Sequence, residues 1–354
     1  MKGIILHGGA GTRLRPLTYT DVKQLLPLAG KPVSEHALRN LIEIGIKEIN
    51  IVLGDIGSKE VRDYYGDGKK WGISISYTYQ GQPKGIAHAI GLTRDYVGED
   101  DFVVVLGDNY FQNGFAHMFK DFKKDRKDAY IVVTEVQSPE QFGVAEIRNG
   151  KIVRIVEKPK VPISNFAVTG VYFLRKSVFP FIDSLKPSWR GELEITEALQ
   201  MMVDSGLEIG YSVINGWWKD TGTPEEFLSC NIMALDKITL GSCENTGKGH
   251  YWRTIIEEGV SIDKASKIIG PCFIGAKSMI INSYIGPYTS IGRNCKIENS
   301  QIENAVIMDG VSINLNSLAI IRESLIGQST KINTSDKNIK ILKFIIGRDS
   351  KVEV

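Results

Sequence analysis

The sequence has little cysteine, almost no net charge, no long apolar run and no phosphate-binding loop of the Walker type. Each absence removes a class of protein. Cys230, Cys243, Cys272 and Cys295 stand far apart, without CxxC spacing or the density of a disulfide scaffold, so they read as reduced thiols of a cytosolic protein rather than as cross-links or zinc ligands. A formal net charge of +2 and the lack of a like-charge run leave no long-range field to draw in nucleic acid or an acidic membrane, so an anionic ligand must be held locally. No stretch approaches the roughly 20 apolar residues of a membrane span. The opening Met1–Gly9, with one lysine and a short apolar run, is not a signal-peptide core. A cytoplasmic location, with neither nucleic acid nor membrane as a partner, is the expectation.

What is present fits an ordinary globular chain of 354 residues, 42% hydrophobic and 24% charged, long enough for two domains. Up to about residue 240, short β-branched runs (residues 3–6, 48–53, 73–79, 101–107 and 129–136) alternate with segments such as 33–44 and 115–124, whose apolar residues recur at three- and four-residue spacing. That alternation predicts an α/β domain with a largely parallel sheet over 1–240, whose ligands sit at the carboxyl ends of the strands. Over 241–354 the period changes. Ile262, Ile268, Ile274, Ile280, Ile285, Ile291, Ile297, Ile302, Ile307 and Ile313 recur at six residues, occasionally five, and several are followed by glycine. A helix cannot produce this; a parallel β-helix with one inward aliphatic per hexapeptide does, and it is preferred to the alternative of a β-sandwich. The pattern resembles the left-handed hexapeptide-repeat proteins.

Directly after the first strand, Gly8, Gly9 and Gly11 let backbone N–H groups converge on phosphate oxygens, and Arg13 adds a planar fork of donors suited to a polyphosphate. The segment lacks the terminal GKS or GKT of a Walker loop and the spacing of a dinucleotide fingerprint. Taken alone, it also suits an ordinary strand-to-helix turn. It is followed closely by Lys23-Gln24-Leu25-Leu26-Pro27 and Gly30-Lys31-Pro32. GGxGTRLxPLT followed by KQLLPLxGKP resembles the sugar nucleotidylyltransferases, and within them the thymidylyl branch that acts on glucose 1-phosphate. The resemblance covers the first 235 residues or so; His7 departs from it, standing where the family usually has a small residue, which leaves either altered base or ribose contacts or a packing role.

The resemblance implies a Rossmann-like nucleotidyltransferase domain with a mixed, mostly parallel sheet. It implies attack by the sugar-1-phosphate oxygen on the α-phosphate of an NTP, with pyrophosphate expelled, a reaction governed by cations and Mg²⁺ more than by acid or base. Arg13, Lys23, Asp108 and Lys158 take the catalytic roles. Leu6, Gly8, Gly9, Gly11, Thr12, Gln24, Gln80, Pro83 and Gly85 join Arg13 and Asp108 in the nucleotide site. A glutamine such as Gln80 both donates to and accepts from a pyrimidine edge. Asp108 and Asp220 are the implied Mg²⁺ ligands. Asn109, Gly143, Glu157, Lys158, Val168, Thr169 and Glu192 line the sugar-phosphate site, although the segment around Glu192 also reads as a helix start. The implied ligands are dTTP and glucose 1-phosphate, and the products dTDP-glucose and pyrophosphate. Because thymine and uracil differ by one methyl, a UTP-dependent or sugar-promiscuous enzyme is the alternative. A β-helix acetyltransferase would need a catalytic histidine and an acyl-CoA groove, and His250, before the repeat proper, is the only histidine after residue 120; an assembly or regulatory role is preferred, with a homo-oligomer expected. A non-catalytic sensor would have lost the set Arg13, Lys23, Asp108 and Asp220.

Overall fold

The computed structural model describes residues 1–9, 11–238, 253–315, 319–334 and 341–354. Cys243, His250 and the expected boundary at 240 lie outside the described residues. By internal contacts the chain divides into two units, one of Met1–Gly9 with Ser34–Trp218, the other of Ala10–Val33 with Lys219–Val354. The segment that carries Arg13 and Lys23 therefore groups with the C-terminal part of the chain.

The first unit is built on a mixed sheet. Its parallel part is Phe102–Leu106, Lys2–His7, Glu48–Gly54 and Ser74–Gly81, in that spatial order. The three inner runs are apolar almost throughout because helices cover both faces. Ile4, Ile5 and Phe102 through Val105 are fully buried. Ser74–Gly81 at the edge instead alternates buried and exposed residues. Phe166–Leu174 then joins Phe102–Leu106 antiparallel, with Val171 opposite Val105 and Leu174 opposite Phe102. Gly143–Arg148 and Lys151–Glu157 continue antiparallel beyond it. Ala129–Glu135 also pairs with Phe166–Leu174 and carries Ile209–Val213 parallel on its other side. The helix Ile195–Asp204 packs on this sheet through Ile195, Ala198, Leu199 and Met202, the i, i+3, i+4, i+7 stripe of an amphipathic helix.

The reversal of Phe166–Leu174 positions the site. A strand running against its neighbours brings its first residues to the edge where theirs end, so Val168–Gly170 reach the carboxyl edge of Phe102–Leu106. Gly170 is there because a Cβ would lie 2.8 Å from the Leu106 side chain.

The C-terminal strands form three parallel ladders. Along one, Ile256, Ile274, Ile291, Ile307, Ile326 and Ile346 are successive partners. The second joins Ile262, Ile280, Ile297, Ile313, Ile332 and Val352. The third joins Ile268, Ile285, Ile302, Ile321 and Leu342. The ten isoleucines of the hexapeptide pattern all lie in these ladders, three hexapeptides to a coil. Corners are chemically specific. A Cβ on Gly275 would sit 2.6 Å from the Gly292 backbone one coil on, which explains the recurring Ile-Gly pair. Asn282 and Asn299 adopt left-handed φ of 44° and 48° at another corner, where the Asn282 amide donates to Asn299 at 2.8 Å and that of Asn299 to Asn314 at 3.1 Å. No helix among the described residues is long and apolar enough to cross a membrane.

Ile297 is fully buried within this stack. Ile297→Ala should cost about 2–5 kcal/mol and Ile297→Val about 0.5–1.5 kcal/mol, read as shifts in the urea unfolding midpoint. Equal, negligible effects would mean that the ladder does not stabilise the fold.

Candidate active site

At the carboxyl edge of the parallel strands, Gly8 follows Lys2–His7, Gln80 ends Ser74–Gly81, and Asp108 follows Phe102–Leu106. Gly8 and Gln80 meet in space, and Gly107, just before Asp108, is bonded to the end of the first strand. A Cβ on Gly8 would fall 2.5 Å from Gln80 Oε1, so the glycine lets the backbone pass close to this amide where it now lies. Leu6 is buried, and its carbonyl accepts from Gly107 N at 2.9 Å, tying the start of the glycine loop to the turn that carries Asp108. Gly8 and Gly9 are exposed beyond it. Gln80 is buried and donates through Nε2 to the Gly85 carbonyl at 3.3 Å, with His88 Nδ1 at 3.2 Å. Gly85 has φ 105°, and a Cβ there would strike Leu193 O at 2.4 Å. Leu193 in turn donates to Lys84 O at 2.7 Å and accepts from Ala87 N at 3.1 Å. The exposed Pro83 is thus at the tip of a loop clamped at its base.

Asp108 is partly exposed, and its Oδ1 accepts from Asn109 Nδ2 at 2.8 Å. Asn109 is buried and its Oδ1 accepts from Trp218 Nε1 at 2.7 Å, so this amide holds the Asp108 carboxylate by one end and an indole by the other. His7 packs beneath, edge-on to Tyr65 at a centroid distance of 6.0 Å. Burial pushes its pKa down to about 3 against the opposing pull of Asp108. Neither ring nitrogen has a hydrogen-bond partner among the described residues. A neutral, packed imidazole is the result.

Further along the same edge lie the residues assigned to a sugar phosphate. Glu157 stands opposite Gly143 in an antiparallel pair, and a Cβ on Gly143 would lie 3.1 Å from Glu157 Oε2 and 3.8 Å from Val168 Cβ. Glu157 Oε2 accepts from Thr196 Oγ1 at 2.9 Å. Burial, and next the Glu194 carboxylate, hold its pKa above the usual glutamate value. Lys158 follows with φ 40°, a left-handed conformation rare for lysine and stabilised by its N–H donating to Phe142 O at 3.0 Å. Thr169 is different: it is buried and its hydroxyl donates to Val132 O at 3.1 Å, so its side chain is committed to the core. Glu192 accepts from Arg190 Nη2 at 3.0 Å.

In the second unit, Arg13 pairs with Asp220, Nη2 to Oδ2 at 3.6 Å. Gly222 makes room, since a Cβ there would be 2.6 Å from Arg13 Nη2 and 2.9 Å from both Asp220 Oδ2 and Glu226 Oε2. The helix Pro224–Asp236 starts here with a capping box: Thr223 Oγ1 accepts from Glu226 N at 3.3 Å and Thr223 N donates to Glu226 Oε2 at 3.1 Å. Gly11, at φ 59°, accepts through its carbonyl from Thr18 Oγ1 at 2.7 Å and lies against Lys23. Thr12 is exposed, whereas Lys23 and Gln24 are buried. Asp108 and Asp220 are hard oxygen donors of the kind that hold Mg²⁺ beside phosphate and water, so the donor chemistry suits that ion.

A family model for nucleotidyl transferases matches residues 2–237, and one for the GMPPB C-terminal domain matches 268–353. The chain belongs to the nucleotidyl transferase family. It is 40% identical to the low-salt glycan biosynthesis nucleotidyltransferase Agl11 of Haloferax volcanii, over all of both chains. A glucose-1-phosphate thymidylyltransferase of Streptomyces griseus is 37% identical over 100% of this chain and 99% of its own. The UTP–glucose-1-phosphate uridylyltransferase AglF of Haloferax volcanii is 36% identical over 64% of this chain and 93% of its own. Among solved structures, a Bacillus anthracis glucose-1-phosphate thymidylyltransferase determined with sucrose has a TM-score of 0.63 at 41% identity, covering 68% of this chain and 97% of that one.

Within this nucleotidyltransferase, sequence reasoning passed over Arg190 and Glu194. The Arg190 guanidinium reaches Glu157 at 3.4 Å, Glu194 at 3.2 Å and Glu192 at 3.0 Å, gathering three carboxylates around one cation. The segment Arg190-Gly191-Glu192-Leu193-Glu194 carries the signal, an arginine among alternating glutamates, but the sequence does not show that Glu157 joins them. The base loop offers a direct test. Because an added Cβ would meet the Leu193 backbone and φ is positive, Gly85→Ala should destabilise the protein by more than about 1 kcal/mol and loosen the loop. Thermal unfolding and amide exchange at residues 81–87 would read this; unchanged exchange would mean that the clamp is not needed.

Proposed function

We propose that this enzyme transfers a thymidylyl group from dTTP to glucose 1-phosphate, releasing pyrophosphate and forming dTDP-glucose. The observation that carries this reading is the alignment along one sheet edge of an amide at a glycine-lined opening, Gln80 by Gly8 and Gly85, with a carboxylate at a second glycine, Glu157 by Gly143. The first reads a pyrimidine edge and the second accepts from sugar hydroxyls. The full-length likeness to a thymidylyltransferase supports the choice of base.

The sugar phosphate oxygen attacks the α-phosphorus; a P–O bond forms to it as the bond to the β-phosphate oxygen breaks and pyrophosphate leaves with that electron pair. No proton need move at the reacting oxygen, so the residues act by position and charge. Lys158 holds the sugar phosphate. Arg13 and Lys23 bind the triphosphate and stabilise the charge that grows on the leaving pyrophosphate. Asp108 and Asp220 supply oxygen ligands for Mg²⁺, which when bound neutralises phosphate charge. Arg13 exchanges Asp220 for phosphate oxygens, so its guanidinium is held near its working position before substrate arrives. Uridylyl transfer is the second reading, favoured by the likeness to AglF. One methyl in a hydrophobic pocket is worth only about 1–3 kcal/mol, so UTP should be turned over measurably.

A panel of dTTP, UTP, ATP and GTP against several sugar 1-phosphates, with pyrophosphate release as readout, should give the highest kcat/KM for dTTP with glucose 1-phosphate. No release with any pair would overturn the assignment. Asp108→Asn and Arg13→Ala should each lower kcat/KM by about 10² or more, and an unchanged rate for either would remove that residue from the mechanism.

The raised Glu157 pKa sets a pH dependence. Its ordinary value is 4.5, and burial moves it upward, so the carboxyl takes up a proton at a higher pH than an exposed glutamate does. The ionised form is the better acceptor. The KM for sugar phosphate should therefore rise as pH falls while still above 4.5, and Glu157→Gln, neutral throughout, should raise KM at neutral pH and lack that limb. Titration of the substrate phosphate is common to both proteins and cancels in the comparison.

A further inference from the structure

The triphosphate-binding segment is held at two places by the β-helix with which it shares a unit. At one place the Leu28–Gly30 turn meets its early coils. A Cβ on Gly30 would fall 2.2 Å from the Phe273 ring, so the turn lies flat on that ring. Asn231, fully buried, accepts from Ala29 N at 3.1 Å and from Ser290 Oγ at 2.7 Å, and donates to Tyr288 O at 3.1 Å. At the other place the segment meets the last coil. Arg348 Nη2 donates to Asp21 Oδ1, and a Cβ on Gly347 would lie 3.1 Å from the Pro16 carbonyl oxygen.

The last coil is a stiff support at that point. Gly327 N donates to Ile346 O and Asp349 N to Gln328 O, both at 2.8 Å, so the coil beneath is bonded on either side of Gly347–Arg348. The Gly347 carbonyl also accepts from Thr330 Oγ1 and Ser350 Oγ, each at 3.0 Å. On the other side the contact leads to the cations. Asp21 N donates to Leu17 O at 3.2 Å and Tyr19 N to Pro16 O at 3.2 Å, making Pro16–Asp21 one compact turn. From that turn Thr18 bonds the Gly11 carbonyl at 2.7 Å, and Gly11 lies against Lys23 Cβ. Lys23 lies in the chain between the two anchored points, two residues beyond Asp21.

We propose that Arg348 is a positioning residue for nucleotidyl transfer: through Asp21 the final coil of the β-helix fixes the Pro16–Lys23 segment and so places Arg13 and Lys23 for the triphosphate. The β-helix is then a working part of the nucleotide site. The pair is poorly suited to a role in stability, since Arg348 is 38% exposed and a half-exposed ion pair adds little. Its effect is geometric, and small displacements of charged groups are costly in such a reaction. The proposal rests on the assignment of Arg13 and Lys23 to the triphosphate.

The test compares the whole 354-residue chain with its variants Arg348→Ala, Arg348→Lys, Gly347→Ala and, as a control on the same coil, Lys351→Ala, whose exposed side chain pairs, among the described residues, with Glu353 at 2.7 Å. The expected result is an increase of about tenfold in the KM for the nucleoside triphosphate in Arg348→Ala. The KM for sugar 1-phosphate and the unfolding midpoint should be unchanged. Arg348→Lys should recover most of the loss, Gly347→Ala should shift the same KM by crowding Pro16, and Lys351→Ala should match wild type. Amide exchange at residues 17–22, which needs no substrate, should quicken in Arg348→Ala. Wild-type kinetics in Arg348→Ala together with unchanged exchange, or equal rises in both KM values, would overturn the proposal. An inactive wild-type enzyme would instead overturn the assigned function, and the exchange measurement would still decide whether the coil holds the segment.

Discussion

Val171 lies opposite Val105 and Leu174 opposite Phe102, and the rest of the first unit's site depends on this antiparallel pairing. Had Phe166–Leu174 run parallel to Phe102–Leu106, its end rather than its beginning would lie at the carboxyl edge, and Val168 would be carried to the opposite side of the sheet. Gly143–Arg148 and Lys151–Glu157 are placed by that same strand through the pairing of Ala167 with Val144. One reversal therefore lengthens the edge that carries the candidate site beyond what parallel strands supply. It leaves Gly8, Gln80 and Asp108 on one stretch and Gly143, Glu157 and Val168 on the next. A reaction between two phosphorylated substrates needs such an extended edge, since both must lie beside each other with the reacting atoms in line.

Much of this was legible in the sequence. The apolar runs marked the inner parallel strands because burial on both faces leaves no polar alternation, while the edge strand Ser74–Gly81 was marked by its alternation. The isoleucines at six-residue spacing marked the β-helix because each coil repeats the same inward position. The direction of Phe166–Leu174 was not legible, since a nine-residue apolar strand reads identically either way and the sheet has four parallel and four antiparallel pairings rather than a mostly parallel set. Side-chain facing was equally hidden. Thr169 and Asn109 occupy positions at the edge, yet one bonds the backbone of a neighbouring strand and the other bridges Asp108 and Trp218. Nor does linear order show that Arg190 joins Glu157, or that residues 10–33 belong with the C-terminal part of the chain.

Charged side chains of the candidate site are partnered in both units. Arg13 rests on Asp220, Glu157 on Arg190 and Thr196, and Asp108 on Asn109. An unpartnered carboxylate as buried as Glu157 would take up a proton and lose its power as an acceptor; even with Arg190 near, burial holds its pKa above the ordinary value. Partners also restrict rotamers before substrate arrives, so less conformational entropy is lost when the complex forms.

Glycine is what makes those arrangements fit, and it does so in the site and in the β-helix for the same reason. At Gly8, Gly85, Gly143 and Gly222 a Cβ would enter a polar contact or a neighbouring backbone; at Gly275, Gly292 and Gly327 it would enter the next coil. In the first unit this closeness lets backbone pass directly against polar side chains and neighbouring carbonyls. In the β-helix it lets coils stack at hydrogen-bonding distance, so a displacement at one corner is resisted by the coil below it. Gly347 belongs to that stack and to the Pro16 contact at once. A stack of coils transmits position well because each coil has few ways to move without breaking bonds to its neighbours. A loop that must hold several cations against their own repulsion needs a stiff support of this kind, and short turns such as Leu17–Tyr19 and Lys23–Leu25 cannot provide it from their own hydrogen bonds.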